Sequence, residues 1–172
     1  MGPVSAEIEI DAPREHVFDA LSDLAGRPSF TDHFLAEFHL TRLESRGVGA
    51  GARFRVELPL RSFWMDTAIV ELAGPHKIVE RGRGGRGNRI PTTLVWELTE
   101  AAGSLTGVRV SHWTEPSNPF DRAVEVLAGN SVFAQRGWDE ALRRLRGQLE
   151  EERPAAAPLA VAGGNAHATG IP

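Results

Sequence analysis

Between Phe38 and Glu115 the chain never takes up a helical period. Apolar and polar residues alternate over short stretches instead: Phe38–Leu43, Phe54–Leu58, Phe63–Leu72, Lys77–Arg83, Thr92–Glu100 and Leu105–Glu115. Turn signals separate several of them, including Gly47-Val48-Gly49-Ala50-Gly51, Gly74-Pro75 and the glycine-rich run after Arg81. Parallel neighbours need a long crossover, usually a helix, and no gap here supplies one. The six segments are therefore expected to pair as antiparallel hairpins, which argues against a doubly wound fold.

Helical signals lie on both sides of this run. Val4, Ala6, Ile8 and Ile10 alternate with Ser5, Glu7 and Glu9, as in a half-buried strand. Asp11 then stands where a helix N-cap belongs, with Pro13 in the first turn and Glu15 near the positive end of the dipole. Val17, Phe18, Leu21 and Leu24 follow at helical spacing up to Gly26. A second short helix is expected over Pro28–Glu37, with Phe30, Phe34 and Leu35 turned inward. After Pro116 and Pro119, Phe120, Val124, Leu127, Ser131, Ala134, Trp138, Leu142, Leu145 and Leu149 recur at three- and four-residue steps. That stripe implies a helix of roughly thirty residues, about 45 Å long, able to lie across a whole sheet. A sheet that bends around one helix touches it at one end and gapes at the other, which makes a pocket.

Composition sets outer bounds. The charged fraction of 24% and hydrophobic fraction of 41% are those of a folded chain. A formal net charge of −4 gives no global positive field for nucleic acid or anionic lipid. Cysteine is absent, which excludes disulfides, iron–sulfur ligation and a thiol nucleophile. With no apolar leader before the first strand and no run long enough to span a bilayer, a cytoplasmic location without membrane insertion is expected. Residues 153–172 are mostly Ala, Pro and Gly and cannot bury enough surface to offset ordering entropy, so a disordered tail is expected after a domain at 3–152.

The segment from Ile8-Glu9-Ile10-Asp11-Ala12-Pro13 through Val17-Phe18 to Leu21-Ser22-Asp23 resembles the opening of the START-like, or SRPBCC, superfamily. The turn and strand over Gly47–Arg55, Val70–Ile78, Trp96-Glu97-Leu98 and Gly107-Val108-Arg109-Val110 follow in that superfamily's order. The resemblance covers roughly residues 4–150 and is nearest the bacterial polyketide cyclase/dehydrase-type group. It implies an α+β helix-grip fold. A curved antiparallel sheet of about seven strands would wrap a long C-terminal helix, with two short helices between the first two strands. It also implies an internal cavity for lipid-, polyketide- or aromatic-type molecules, and it does not fix a reaction.

Within that frame the expected ligand contacts are Phe34, Phe38, Trp64, Trp96, His112, Leu127, Asn130, Ser131 and Ala134. Ala128, Gly129, Asn130 and Ser131 interrupt an otherwise bulky helix stripe and make room. His112 falls on one strand face with Val108, Val110 and Thr114, the face that needs burial. It is the weak catalytic candidate, strengthened if a carboxylate such as Glu80 stands on a neighbouring strand. Against an acid/base enzyme stands the absence of tyrosine. No serine stands in a Gly-x-Ser-x-Gly turn. Asp32, His33 and His39 lack the spacing of a metal pair, so neither metal nor cofactor is expected. The arginine-glycine run over 81–89 reads as a mobile hairpin tip rather than an RNA-binding tract, and the expected partner is a small hydrophobic molecule, with a monomer or homodimer and no nucleic acid. Binding as carrier, sensor or sequestering module is the first expectation. A polyketide aromatase/cyclase is the alternative, and a toxin- or stress-type interaction subunit, using a patch around Trp113, is the third.

Overall fold

The computed structural model describes residues 3–58, 61–116 and 130–152. The elements run β1 (Val4–Ile10), α1 (Arg14–Ser22), α2 (Pro28–Thr31), β2 (Leu35–Leu40), β3 (Gly51–Leu58), β4 (Arg61–Ala73), β5 (Lys77–Gly84), a 3-10 turn at Arg86–Asn88, β6 (Ile90–Glu100), β7 (Thr106–Thr114) and α3 (Asn130–Glu151). The seven strands form one antiparallel sheet in the order β1-β7-β6-β5-β4-β3-β2. The six alternating segments thus make a meander, as their period and short turns require. The link through α1 and α2 carries the chain from one edge of the sheet to the other. Register shifts in β2, between Ala36 and His39, and in β4, between Ile69 and Glu71, add the local twist that helps the sheet curl. The result is a curled half-barrel closed by the C-terminal helix, the helix-grip fold.

Three local expectations need correction. Asp11 does not cap α1: Pro13 holds the cap position in an extended conformation with no side-chain cap. The Asp11 carboxylate instead accepts from Ser104 Oγ, and its N–H donates to Glu150 Oε1 at 3.1 Å, tying the start of α1 to the far end of α3. The second helix ends at Thr31 rather than Glu37, because Leu35 enters the sheet opposite Val56. The next strand is correspondingly Leu35–Leu40 rather than Phe38–Leu43. Of the long helix, 22 residues are described. Leu127, Gly129 and the 153–172 tail lie outside the described residues, as do the side chains of Asn130 and Ser131.

The core lies between the inner face of the sheet and α3. Ala6, Ile10, Ile78, Trp96, Val108 and Val110 contribute from the strands, and Trp138, Ala141, Leu142, Leu145 and Leu149 from the helix. Helix α3 packs chiefly on β1 and α2. Gln135 Nε2 reaches the Ser5 carbonyl at 2.6 Å and satisfies an acceptor of that edge strand. Among the described residues no helix is long and apolar enough to cross a membrane.

Candidate functional site

Beyond Trp138, toward the start of α3, helix and sheet part and leave a cavity of about 60 Å³, counted over the positions a water molecule's centre can take. Its walls are mostly apolar. Leu35 and Phe38 come from β2, Phe54, Val56 and Leu58 from β3, Met65 from β4 and Leu94 from β6. Helix α3 contributes Phe133, Ala134 and Trp138, and the α1–β2 link contributes Leu24 and Phe34. Edge-to-face contacts fix this end: Trp138 meets Phe34 at 5.1 Å and Trp96 at 5.5 Å between ring centroids. Phe38 stacks on Phe54 at 5.5 Å. Gly137 is what lets Phe34 approach the helix, since a Cβ there would stand 2.8 Å from Phe34 Cδ2.

Apart from Glu57, the polar groups of the wall occur in two sets. In the first, Arg27 Nη2 donates to Glu80 Oε1 and to the Leu21 carbonyl, each at 2.9 Å. Trp96 Nε1 donates to the same Glu80 oxygen at 3.0 Å, and Thr67 Oγ1 donates to Glu80 Oε2 at 3.2 Å. The Arg27 guanidinium also lies 5.0 Å from the Trp96 ring centroid. The Arg27 and Glu80 side chains are 3% and 1% exposed. Such a pair persists in an apolar interior only when each charge has its counter-ion and hydrogen bonds, and here both do. The second set is Thr92 and His112, with Thr92 Oγ1 2.8 Å from His112 Nε2 and 3.3 Å from the Trp113 carbonyl. Both contacts are met by one hydroxyl proton if Thr92 donates to the carbonyl and accepts from Nε2–H. Two further N–H groups of wall residues, Arg27 Nε and Trp138 Nε1, are buried with no partner among the described residues.

Phe34, Phe38, His112 and Ala134 thus come together at the cavity. Trp96 lies behind the wall as fully buried core, one of whose contacts is the glutamate that does line the cavity. Trp64 faces away: it alternates with Phe63 and Met65, and the Arg53 guanidinium sits 5.1 Å from its ring centroid. Glu80 and His112 share one row of the inner face, flanking Leu94 on the strand between them. The Glu80 oxygens are engaged by Arg27, Trp96 and Thr67, so the structure offers an ion-pair network there rather than a carboxylate–imidazole pair. Arg27 was not visible as a site residue, for nothing around Pro28 marks it. Glu80 and Thr92 carried a usable signal: each shares the inward parity of its strand with buried apolar residues, Ile78 for one and Trp96 and Leu98 for the other. Among the described residues no three His, Cys, Asp or Glu side chains gather to hold a metal ion.

Several solved structures share this architecture at low identity. The KanY protein is 18% identical, with a TM-score of 0.69 over 87% of this chain and 99% of that one. A START superfamily protein from Mycobacterium smegmatis is 18% identical, with a TM-score of 0.61 over 88% of this chain and 99% of that one. The Zhui aromatase/cyclase from Streptomyces sp. R1128 is 16% identical, with a TM-score of 0.67 over 90% of this chain and 97% of that one. At such identities the likeness establishes the fold. No curated protein matches the chain at a significant level. The family model described as Activator of Hsp90 ATPase homolog 1-like protein matches residues 11–150, most of the folded part. With the helix-grip architecture and that match together, the chain belongs to the Activator of Hsp90 ATPase homolog 1-like family of the START-like (SRPBCC) superfamily.

Proposed function

We propose that this protein binds a small, largely apolar molecule in the cavity between its sheet and α3, as a carrier, sensor or sequestering module. The observation that carries this reading is the cavity itself. It is walled by aliphatic and aromatic side chains at the place where the helix stops packing on the sheet, with a few polar groups set into an apolar surround. Apolar burial at about 25 cal/mol per Å² supplies affinity, while Thr92 and His112 fix orientation. Titration with N-phenyl-1-naphthylamine, an uncharged dye that brightens in apolar surroundings, tests the idea. Saturable binding that Ala134→Phe abolishes while the fold is kept supports it, because the larger ring would fill the space beside Trp138. Binding that is absent, or indifferent to that change, counts against it.

A second reading, an aromatase/cyclase-type enzyme, draws on two observations: His112 stands in the cavity wall, and the Zhui aromatase/cyclase shares the fold. There the cavity would hold a polyketide-type chain folded while His112 moved protons. Turnover of such a chain that His112→Phe removes without loss of binding would favour this reading over simple binding.

A further inference from the structure

The cavity has a charge balance as well as a shape. Among the described residues that line it, Arg27 is the one deeply buried cation, and it already faces Glu80 at 2.9 Å. Glu80 in turn takes Arg27 and Trp96 on one oxygen and Thr67 on the other. A second carboxylate, Glu57, also lines the cavity, and its partner Arg55 at 2.7 Å is shared with Glu37. An anionic ligand would therefore enter a space whose cations, among the described residues, are matched. Its carboxylate would lose its hydration and meet no uncompensated positive charge, the arrangement a low-dielectric site penalises most. An uncharged ligand faces no such penalty, and the mostly apolar wall receives it. From this, and resting on the reading that the cavity binds a small molecule, we infer that the site selects uncharged ligands and rejects carboxylates of the same shape.

Three naphthalenes of nearly equal size test this by displacement of N-phenyl-1-naphthylamine: 2-acetylnaphthalene, 2-isopropylnaphthalene and 2-naphthoate. At about pH 8 the acid is ionised. The ketone and the isopropyl compound are each expected to bind at least about tenfold more tightly than the naphthoate. Glu80→Gln keeps the size of the side chain but leaves Arg27 uncompensated, and it should narrow that ratio by about tenfold or reverse it. If that variant fails to fold, the ratio in the unaltered protein still decides. Naphthoate binding as tightly as the ketone overturns the inference while leaving the cavity reading in place. Failure of the dye and all three compounds to bind removes the cavity reading, and this inference with it.

Discussion

The Arg27–Glu80 pair gives the sharpest energetic prediction. Arg27→Met keeps a long apolar side chain beside Phe30 and Trp96 but removes the charge. Glu80 is then left 1% exposed, with only the Trp96 indole and the Thr67 hydroxyl for partners. Breaking a buried pair from one side costs about 3–5 kcal/mol, because the remaining charge is uncompensated. Glu80→Met strands the guanidinium and should cost a similar amount. The double replacement behaves differently. It leaves the Trp96 N–H, the Thr67 hydroxyl and the Leu21 carbonyl short of one partner each, about 1–3 kcal/mol apiece at most, while removing two desolvated charges returns about 1–4 kcal/mol. The two changes should thus couple by about 3 kcal/mol or more, far from additive. Urea unfolding followed by tryptophan fluorescence reads all three variants, and thermal scans should show roughly 10 °C lost in each single variant. Singles that cost under about 1 kcal/mol, or a double equal to their sum, would refute the account of this network.

Other perturbations read other parts of the fold. Gly82→Ala should destabilise by about 3 kcal/mol or more, since its Cβ would stand 1.7 Å from the Asp66 carbonyl across the β4–β5 pairing; a loss under about 1 kcal/mol in urea would contradict that register. Trp96→Phe should cost about 1.5–3 kcal/mol by withdrawing an N–H from the Glu80 carboxylate, and much less in an Arg27→Met/Glu80→Met background. Burial raises the pKa of Asp23, but Ser45, the Ala25 N–H and Arg46 outweigh it and hold the carboxyl below 3.8. A depressed acid stabilises above its unfolded pKa and loses that as pH falls through the folded value, so the deficit of Asp23→Asn should shrink between about pH 5 and pH 3. Solvent screening through the exposed Arg46 keeps the deficit under about 1 kcal/mol, and one that stays constant over that range would rule the linkage out.

The architecture was legible because it rests on period. Alternation from Val4 to Ile10 and through the six later segments fixes which residues face inward, and short turns leave antiparallel pairing as the way to join them. The same parity placed His112 with Val108 and Val110 on the inner face, where the structure has it. What escaped were contacts made between distant segments. Asp11 has the chemistry of a cap, but Ser104 and Glu150 take it, and both come from elements far along the chain. Phe34 and Leu35 looked helical because three- and four-residue spacing ran on from Phe30, yet Leu35 gains its burial by joining β3. Arg27 becomes a wall residue only when β5 brings Glu80 beside it, a pairing across 53 residues that no local pattern announces.

The central claim is that the cavity holds a ligand, and native mass spectrometry of the protein purified from its host addresses it most directly. The account predicts a discrete mass excess over the denatured chain, released on unfolding and belonging to an uncharged, largely apolar molecule. A native mass equal to the denatured one, with no shift in melting temperature across a panel of neutral aromatic and lipid-type compounds, would contradict it.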